Sequence, residues 1–333
     1  MVTKISLKEK LKRKTLGEII IIFLFFFFLF FFFLFWSDLR NEELTLFLAE
    51  RSQKLYIESG FALSFSLFLF SQIGLHYSFI FLLFPIIFWI EEKEVGKRAA
   101  LGLFLVGGVT FVIRHLTALP RPYFPELEGL SKKDGYSFPS GHITQLVMVI
   151  GVLANYYKKR IIWILLFLII SLVGVSRLFF GHHFLDDVIG AIILGFVSLY
   201  FFIEAVLWFK KKDIDLFLIV SILLLLGTFF SVFFVIEYLE RHYALLLYLA
   251  GLFSGYILES RYLKLLAAEN IFEKVYKVFL GLVFLFPLSL FMYSDFFSLG
   301  VRLFGYFALG LFITLFWPLL FSGIKLVLGK LGR

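Results

Sequence analysis

At 333 residues, 61% hydrophobic and 17% charged, with a mean hydropathy of +0.96, the chain is too apolar for a soluble domain. Its apolar runs are continuous over about 20 residues, which specifies membrane-spanning helices and excludes the short alternating strands of a β-barrel. A net charge of +8 then reads as positive-inside anchoring rather than nucleic-acid binding, and the absence of cysteine excludes disulfides and thiolate metal sites.

Lys4, Lys8, Lys10, Lys12, Arg13 and Lys14 precede an apolar run over 17–36. No small-residue cleavage site follows that run, so it is expected to be a retained first helix. Residues 37–60 are polar with Leu44, Phe47, Leu48 and Leu55 at helical spacing, the pattern of an interfacial amphipathic helix. The stretch 61–90 reads either as two short spans or as a re-entrant dip (61–70) followed by one span over 73–90. Charge sidedness favours the single span.

Further helices are predicted over 99–116, 143–157, 161–175, 188–209, 214–236, 244–258, 278–291 and 304–324, which makes about ten transmembrane helices and an all-α polytopic membrane protein. With the N-terminus placed in the cytoplasm, 22 of the 32 Lys and Arg fall on the cytoplasmic side. Gly251 and Gly255 form a small-xxx-small pair suited to tight helix packing, and Pro287 and Pro318 lie within predicted spans as kinks. Glu204 lies near the cytoplasmic end of its span, placed for snorkelling or packing. His76, His115 and His242 lie at predicted membrane boundaries as interfacial or structural residues, and His115 is expected to face away from Arg114. Lys132 and Lys133 form either a solvated loop pair or an attraction for an anionic headgroup.

Three polar clusters interrupt the apolar pattern, all on the predicted outer face: Arg114 to Arg121-Pro122, Pro139-Ser140-Gly141-His142, and Ser176-Arg177 to Asp187. A charge at mid-membrane costs at least ~2.5–3.5 kcal/mol, so such residues need a local reason. His183 and Asp187 are four apart at a helix start and share a face, as do His182 and Asp186. A carboxylate on one imidazole nitrogen fixes the tautomer and raises the basicity of the other, which makes a nucleophile toward phosphorus. Only one of the two pairs can face the site, since one residue turns a helix by about 100°. Ser140 is placed to cap the following helix, whose exposed amides favour an anion. Gly141 lets backbone approach a ligand closely, and His142 is placed as a general acid. Arg114, Arg121 and Arg177 supply guanidinium forks for phosphate oxygens, enough positive charge for a phosphoryl transition state without a metal.

The three clusters, read as Arg114-x6-Arg121-Pro122, Pro139-Ser140-Gly141-His142 and Ser176-Arg177-x5-His183-x3-Asp187, resemble the signatures of the type 2 phosphatidic acid phosphatase (PAP2) superfamily. One departure is Arg114 where that family usually carries lysine. The resemblance implies that His183 forms a phosphohistidine, Asp187 orients it, His142 is the general acid, and Arg114, Arg121, Ser140, Gly141 and Arg177 bind phosphate. It selects His183 and Asp187 over His182 and Asp186, because the spacing from Arg177 excludes the latter. It also implies a six-helix PAP2-type core over 17–212, after a basic cytoplasmic segment 1–16 and before four further C-terminal transmembrane helices in 213–333. No cofactor or metal is expected.

The expected activity is a membrane lipid phosphatase with its site at the outer leaflet of the plasma (inner) membrane, acting on a polyprenyl diphosphate such as undecaprenyl diphosphate, on phosphatidic acid, or on phosphatidylglycerophosphate. The expected partners are that lipid and the bilayer, with no nucleic acid. The alternatives are a lipid phosphotransferase using the same site, a soluble sugar-phosphate phosphatase, and a transporter-like binding protein.

Overall fold

The computed structural model describes residues 43–44, 46–47, 50–51, 69–70, 83–90, 93–122, 135–215, 217–223, 240–263, 270–293 and 298–331, and all regular structure among them is helical. The expectations for the helix over 17–36, the segment 61–74, His76, Lys132, Lys133 and the side chain of His242 lie outside the described residues. So does most of 37–60 and most of 214–236. Four helical stretches among the described residues are long and apolar enough to cross a membrane: Lys93–Thr117, Arg160–Phe179, Leu185–Lys211 and Leu299–Val327.

The first part of the chain comprises α1 (Phe84–Ile90), α2 (Lys93–Thr117), α3 (Gly141–Tyr157), α4 (Arg160–Phe179) and α5 (Leu185–Lys211). Hydropathy places the start of α2 at 99, but the helix begins in the charged turn before it. Glu94 sits in the first turn, where a carboxylate meets the positive end of the helix dipole. It is also ion-paired three and four residues on with Lys97 and Arg98. Likewise α5 begins at Leu185 rather than 188, because Asp186 and Asp187 occupy its first turn.

The central element is α3, buried on almost every side from Ile143 through Val149. Lipid tails are as apolar as leucine, so close packing rather than hydrophobic expulsion must hold it there. Glycines supply that closeness. A Cβ on Gly195 of α5 would lie 2.7 Å from Val147, and one on Gly151 would lie 2.3 Å from Leu199. Helix α4 flanks this group and turns Ile164, Leu165, Phe167 and Leu168 outward, a row of exposed apolar side chains suited to lipid. The helices alternate in direction, so the end of α2, the start of α3, the end of α4 and the start of α5 gather at one end of the bundle.

The second part comprises helical residues 217–223, α6 (Glu240–Leu258) with a π-helical turn at Glu259–Leu263, α7 (Ile271–Tyr293), α8 (Leu299–Leu311), a π-helical turn at Phe312–Phe316, and α9 (Trp317–Leu331). The Gly251 and Gly255 pair is where α6 and α8 meet. A Cβ on Gly251 would lie 2.0 Å from the Phe307 carbonyl oxygen, and one on Gly255 would lie 2.2 Å from Thr314 Oγ1. Thr314 Oγ1 donates to the Leu252 carbonyl at 3.0 Å across the same contact. Pro287 lies inside α7. Pro318 follows the π-helical turn, so the irregularity expected at this proline lies in the turn before it.

The two parts are docked on each other. Trp89 Nε1 donates to the Ile313 carbonyl at 2.9 Å, in the second π-helical turn. Lys93 pairs with the buried Glu259 at the first. Lys97 lies over the rings of Phe217 and Tyr256, at 5.4 and 5.3 Å. The C-terminal helices therefore brace α1 and the first turns of α2, at the opposite end of α2 from Arg114.

Candidate active site

The site is assembled where chain direction reverses. Helix α4 ends at Phe179, and Gly181 takes a left-handed conformation (φ +59°) open to glycine at no steric cost. The His182 amide returns to the Arg177 carbonyl at 3.0 Å, closing the last turn. The chain re-enters a helix at once, with Phe184 as N-cap and Asp187 in the first turn. Asp187 Oδ2 accepts the Phe184 amide at 2.9 Å, satisfying one orphan donor of the helix start. This tight reversal is what the five-residue gap between Arg177 and His183 encodes. It returns both to one end of the bundle.

The same Asp187 oxygen lies 3.2 Å from His183 Nδ1, and the two side chains are 0% and 1% exposed. A carboxylate only accepts, so Nδ1 carries the proton and Nε2 is left with its lone pair. Arg121 Nη1 stands 3.3 Å from that Nε2 and donates to the His182 carbonyl at 2.8 Å. The second His–Asp pair is arranged differently. His182 is buried with its ring stacked on Phe180, centroids 5.8 Å apart, and Asp186 is fully buried.

Opposite stands His142 in the first turn of α3, with Nε2 3.4 Å from Arg177 Nη1. Arg177 is itself 1% exposed. The loop before α3 is fixed against α5 by the Ser140 amide, which donates to the Asp187 carbonyl at 3.1 Å. Ser140 occupies the N-cap position, but its hydroxyl makes no capping hydrogen bond. Its buried Oγ has no hydrogen-bond partner among the described residues, which leaves it turned to the site rather than to the helix end. Arg114 is engaged on the loop before α3. Its Nε and Nη2 both donate to the Pro139 carbonyl, at 3.0 and 2.9 Å. A Cβ on Gly141 would lie 3.1 Å from Arg114 Nη2, so this glycine makes room for the guanidinium.

The structure thus brings Arg121, Arg177, His142, His183, Asp187, Ser140 and Gly141 to one place, with Arg114 engaged on the loop that carries Ser140. His115 is exposed: its ring lies against Phe111, its Nδ1 donates to the Phe111 carbonyl at 2.8 Å, and it meets the Tyr136 ring edge-on at 5.5 Å. Glu204 is half-buried within α5. Two features escaped the sequence. Thr110 and Thr144 share a buried hydrogen bond at 3.1 Å that ties α2 to α3 below the site. Ser137, fully buried, donates to backbone carbonyls beside Arg121. Each is a lone hydroxyl in an otherwise uninformative stretch.

Chemically, the cluster combines an imidazole oriented by a carboxylate and turned to a guanidinium, a second imidazole beside a guanidinium, and concentrated positive charge. Such a set holds a tetrahedral oxyanion and exchanges protons with it.

Comparison with known proteins identifies the family. The model of the PAP2 superfamily matches residues 96–211, and that of the "PAP2 superfamily phosphatase, transmembrane extension" matches residues 243–330. Phosphatidylglycerophosphatase B of Bacillus subtilis (strain 168) is 31% identical over 100 residues, which cover 26% of this chain. The match spans about half, 49%, of that protein's length. No solved structure matches. With both family models falling on the two docked parts of one apolar helical chain, the protein is an integral membrane member of the PAP2 superfamily.

Proposed function

We propose that this protein is a metal-independent membrane lipid phosphatase that works through a phosphohistidine at His183. The observation that carries the reading is the buried His183–Asp187 pair, with Nε2 turned to the Arg121 guanidinium. In the proposed cycle a phosphoryl group enters among Arg121, Arg177, Ser140 Oγ and the amides at the start of α3, with Arg114 holding that loop. His183 Nε2 attacks phosphorus as the bond to the leaving oxygen breaks, and His142 gives that oxygen its proton. Water then attacks the phosphohistidine, losing a proton to His142, and the P–N bond breaks to release phosphate. The guanidiniums stabilise the charge that builds on the equatorial oxygens in both steps.

The proposed substrates present phosphate at the membrane interface: phosphatidylglycerophosphate, phosphatidic acid or a polyprenyl diphosphate. The name of the Bacillus relative supports testing phosphatidylglycerophosphate first. The excess of Lys and Arg on one side supports an outer-face site with the N-terminus in the cytoplasm. The catalytic core is proposed to run over 17–212, with 213–333 as its brace.

The test is phosphate release by detergent-purified protein in EDTA. The panel comprises phosphatidylglycerophosphate, phosphatidic acid, undecaprenyl diphosphate and glucose 6-phosphate. EDTA-resistant release from a lipid, lost in His183→Ala and kept in His182→Ala, is the expected result. Folded protein that releases phosphate from none of the four contradicts the proposal.

A further inference from the structure

Arg121 is the guanidinium at His183 Nε2, and its backbone lies between Pro120 and Pro122. Neither proline has an amide hydrogen, so this stretch has few donors with which to bond its own carbonyls. Helix α2 has already ended behind it: Ala118 takes a left-handed conformation (φ +49°), and its amide closes on the Arg114 carbonyl at 2.9 Å. Something outside the segment must hold the Leu119 and Pro120 carbonyls.

Ser137 does so from the far side of residues 123–134. Its amide donates to the Leu119 carbonyl at 2.9 Å, and its hydroxyl donates to the Pro120 carbonyl at 2.8 Å. Leu119 O lies 3.3 Å from the same hydroxyl, but one proton serves one acceptor best, and the amide already serves Leu119. The Pro120 carbonyl belongs to the peptide unit whose nitrogen is that of Arg121. The hydroxyl therefore fixes the peptide plane from which the Arg121 side chain departs. Ser137 is 0% exposed, so water does not substitute for it.

We infer that Ser137 is a positioning residue for Arg121: its hydroxyl sets the placement of the guanidinium against His183, and so the grip on the phosphoryl group. The inference rests on the phosphatase reading above. It assigns Ser137 no contact with substrate. A misplacement of about 1 Å in such a site is worth roughly a hundredfold in rate, so loss of one hydroxyl is expected to register clearly.

The experiment measures orthovanadate binding directly, by its stabilisation of the detergent-purified protein against heat, together with kcat and KM for phosphate release. The proteins are wild type, Ser137→Ala, Arg121→Ala and the double variant. Ser137→Ala is expected to weaken vanadate binding roughly 10- to 100-fold per folded molecule. In the Arg121→Ala background the same substitution is expected to add less than about twofold, because the two act as one unit. A merely structural serine would lower the melting temperature and leave vanadate affinity unchanged, and that result overturns the inference. So does an undiminished effect of Ser137→Ala in the double variant. Should Ser137→Ala yield no folded protein, Ser137→Cys carries the test, being nearly isosteric but a weak donor; wild-type vanadate affinity in that variant overturns the inference. Wild-type protein that binds no vanadate overturns the phosphatase reading and this inference together, whereas normal binding by wild type and Ser137→Ala alike overturns this inference alone.

Discussion

Asp187 does two jobs with one oxygen, and substitution by asparagine and by alanine separates them. Oδ2 accepts both the Phe184 amide at 2.9 Å and the His183 Nδ1 proton at 3.2 Å, and both side chains are buried. Asparagine keeps an oxygen in the same position, so both hydrogen bonds survive without the charge. Hydrogen bonds to a charged group contribute about 1.5–3 kcal/mol against about 0.5–1.5 for neutral ones. The difference, near 1.4 kcal/mol, is about tenfold in rate. The positive charge that develops on the attacking imidazole adds to this, so Asp187→Asn is expected to lose roughly 10- to 100-fold in kcat with its melting temperature nearly unchanged. Alanine removes the acceptor altogether. The Phe184 amide is then buried and unsatisfied, at a cost of about 1–3 kcal/mol in stability, and His183 loses its orientation. Its kcat is expected to fall by roughly 10³ or more. The assay is phosphate release from phosphatidylglycerophosphate, normalised to folded protein, with thermal unfolding in detergent measured in parallel. Equal kcat and equal melting temperature for the two variants would refute the assignment of both roles to one oxygen. Wild-type kcat in Asp187→Asn would refute the role of the charge.

Two further predictions concern the brace. Gly251→Ala puts a methyl 2.0 Å from the Phe307 carbonyl oxygen, backbone against backbone, so the two helices must separate. Overpacking of this kind costs about 1–3 kcal/mol or more, and a lowered melting temperature in detergent is the expected readout. Trp89→Phe removes the donor to the Ile313 carbonyl in the second π-helical turn and is expected to destabilise by about 1–3 kcal/mol. Wild-type melting of Gly251→Ala would refute the close packing of α6 on α8, and wild-type melting of Trp89→Phe would refute the contribution of the docking between the two parts.

Much of the site was legible because it depends on local periodicity. His183 and Asp187 share a helix face by their spacing alone, and the alternating spans bring Arg114, His142 and Arg177 to one end. The four-residue spacing alone did not separate the two His–Asp pairs, since both have it; the resemblance selected His183 and Asp187 by the five-residue gap after Arg177, a gap the structure spends on the tight reversal at Gly181. Helix ends were misjudged for a related reason. Hydropathy stops at the first charge, but Glu94 in α2, like Asp186 and Asp187 in α5, sits where a helix start welcomes acid, so the helices run on past the apolar segment. The cap expected of Ser140 and the phosphate contact expected of Arg114 depend on where a side chain turns. Arg114 turns to the Pro139 carbonyl because Gly141 leaves it room there. Ser137 was invisible because the carbonyls it satisfies, those of Leu119 and Pro120, lie 18 and 17 residues away along the chain.

The proposed mechanism turns on a covalent phosphoryl group on His183, and trapping that group tests it most directly. Detergent-purified protein would be mixed with lipid phosphate labelled in the transferred phosphoryl group, quenched at short times in base, and the labelled peptide located. The account predicts label that survives base, is lost in acid, and maps to the peptide bearing His183. It should be present in wild type and His182→Ala, absent in His183→Ala, and accumulate in variants of His142 that slow hydrolysis more than attack. Turnover without any acid-labile label, or label that persists in His183→Ala, would contradict it.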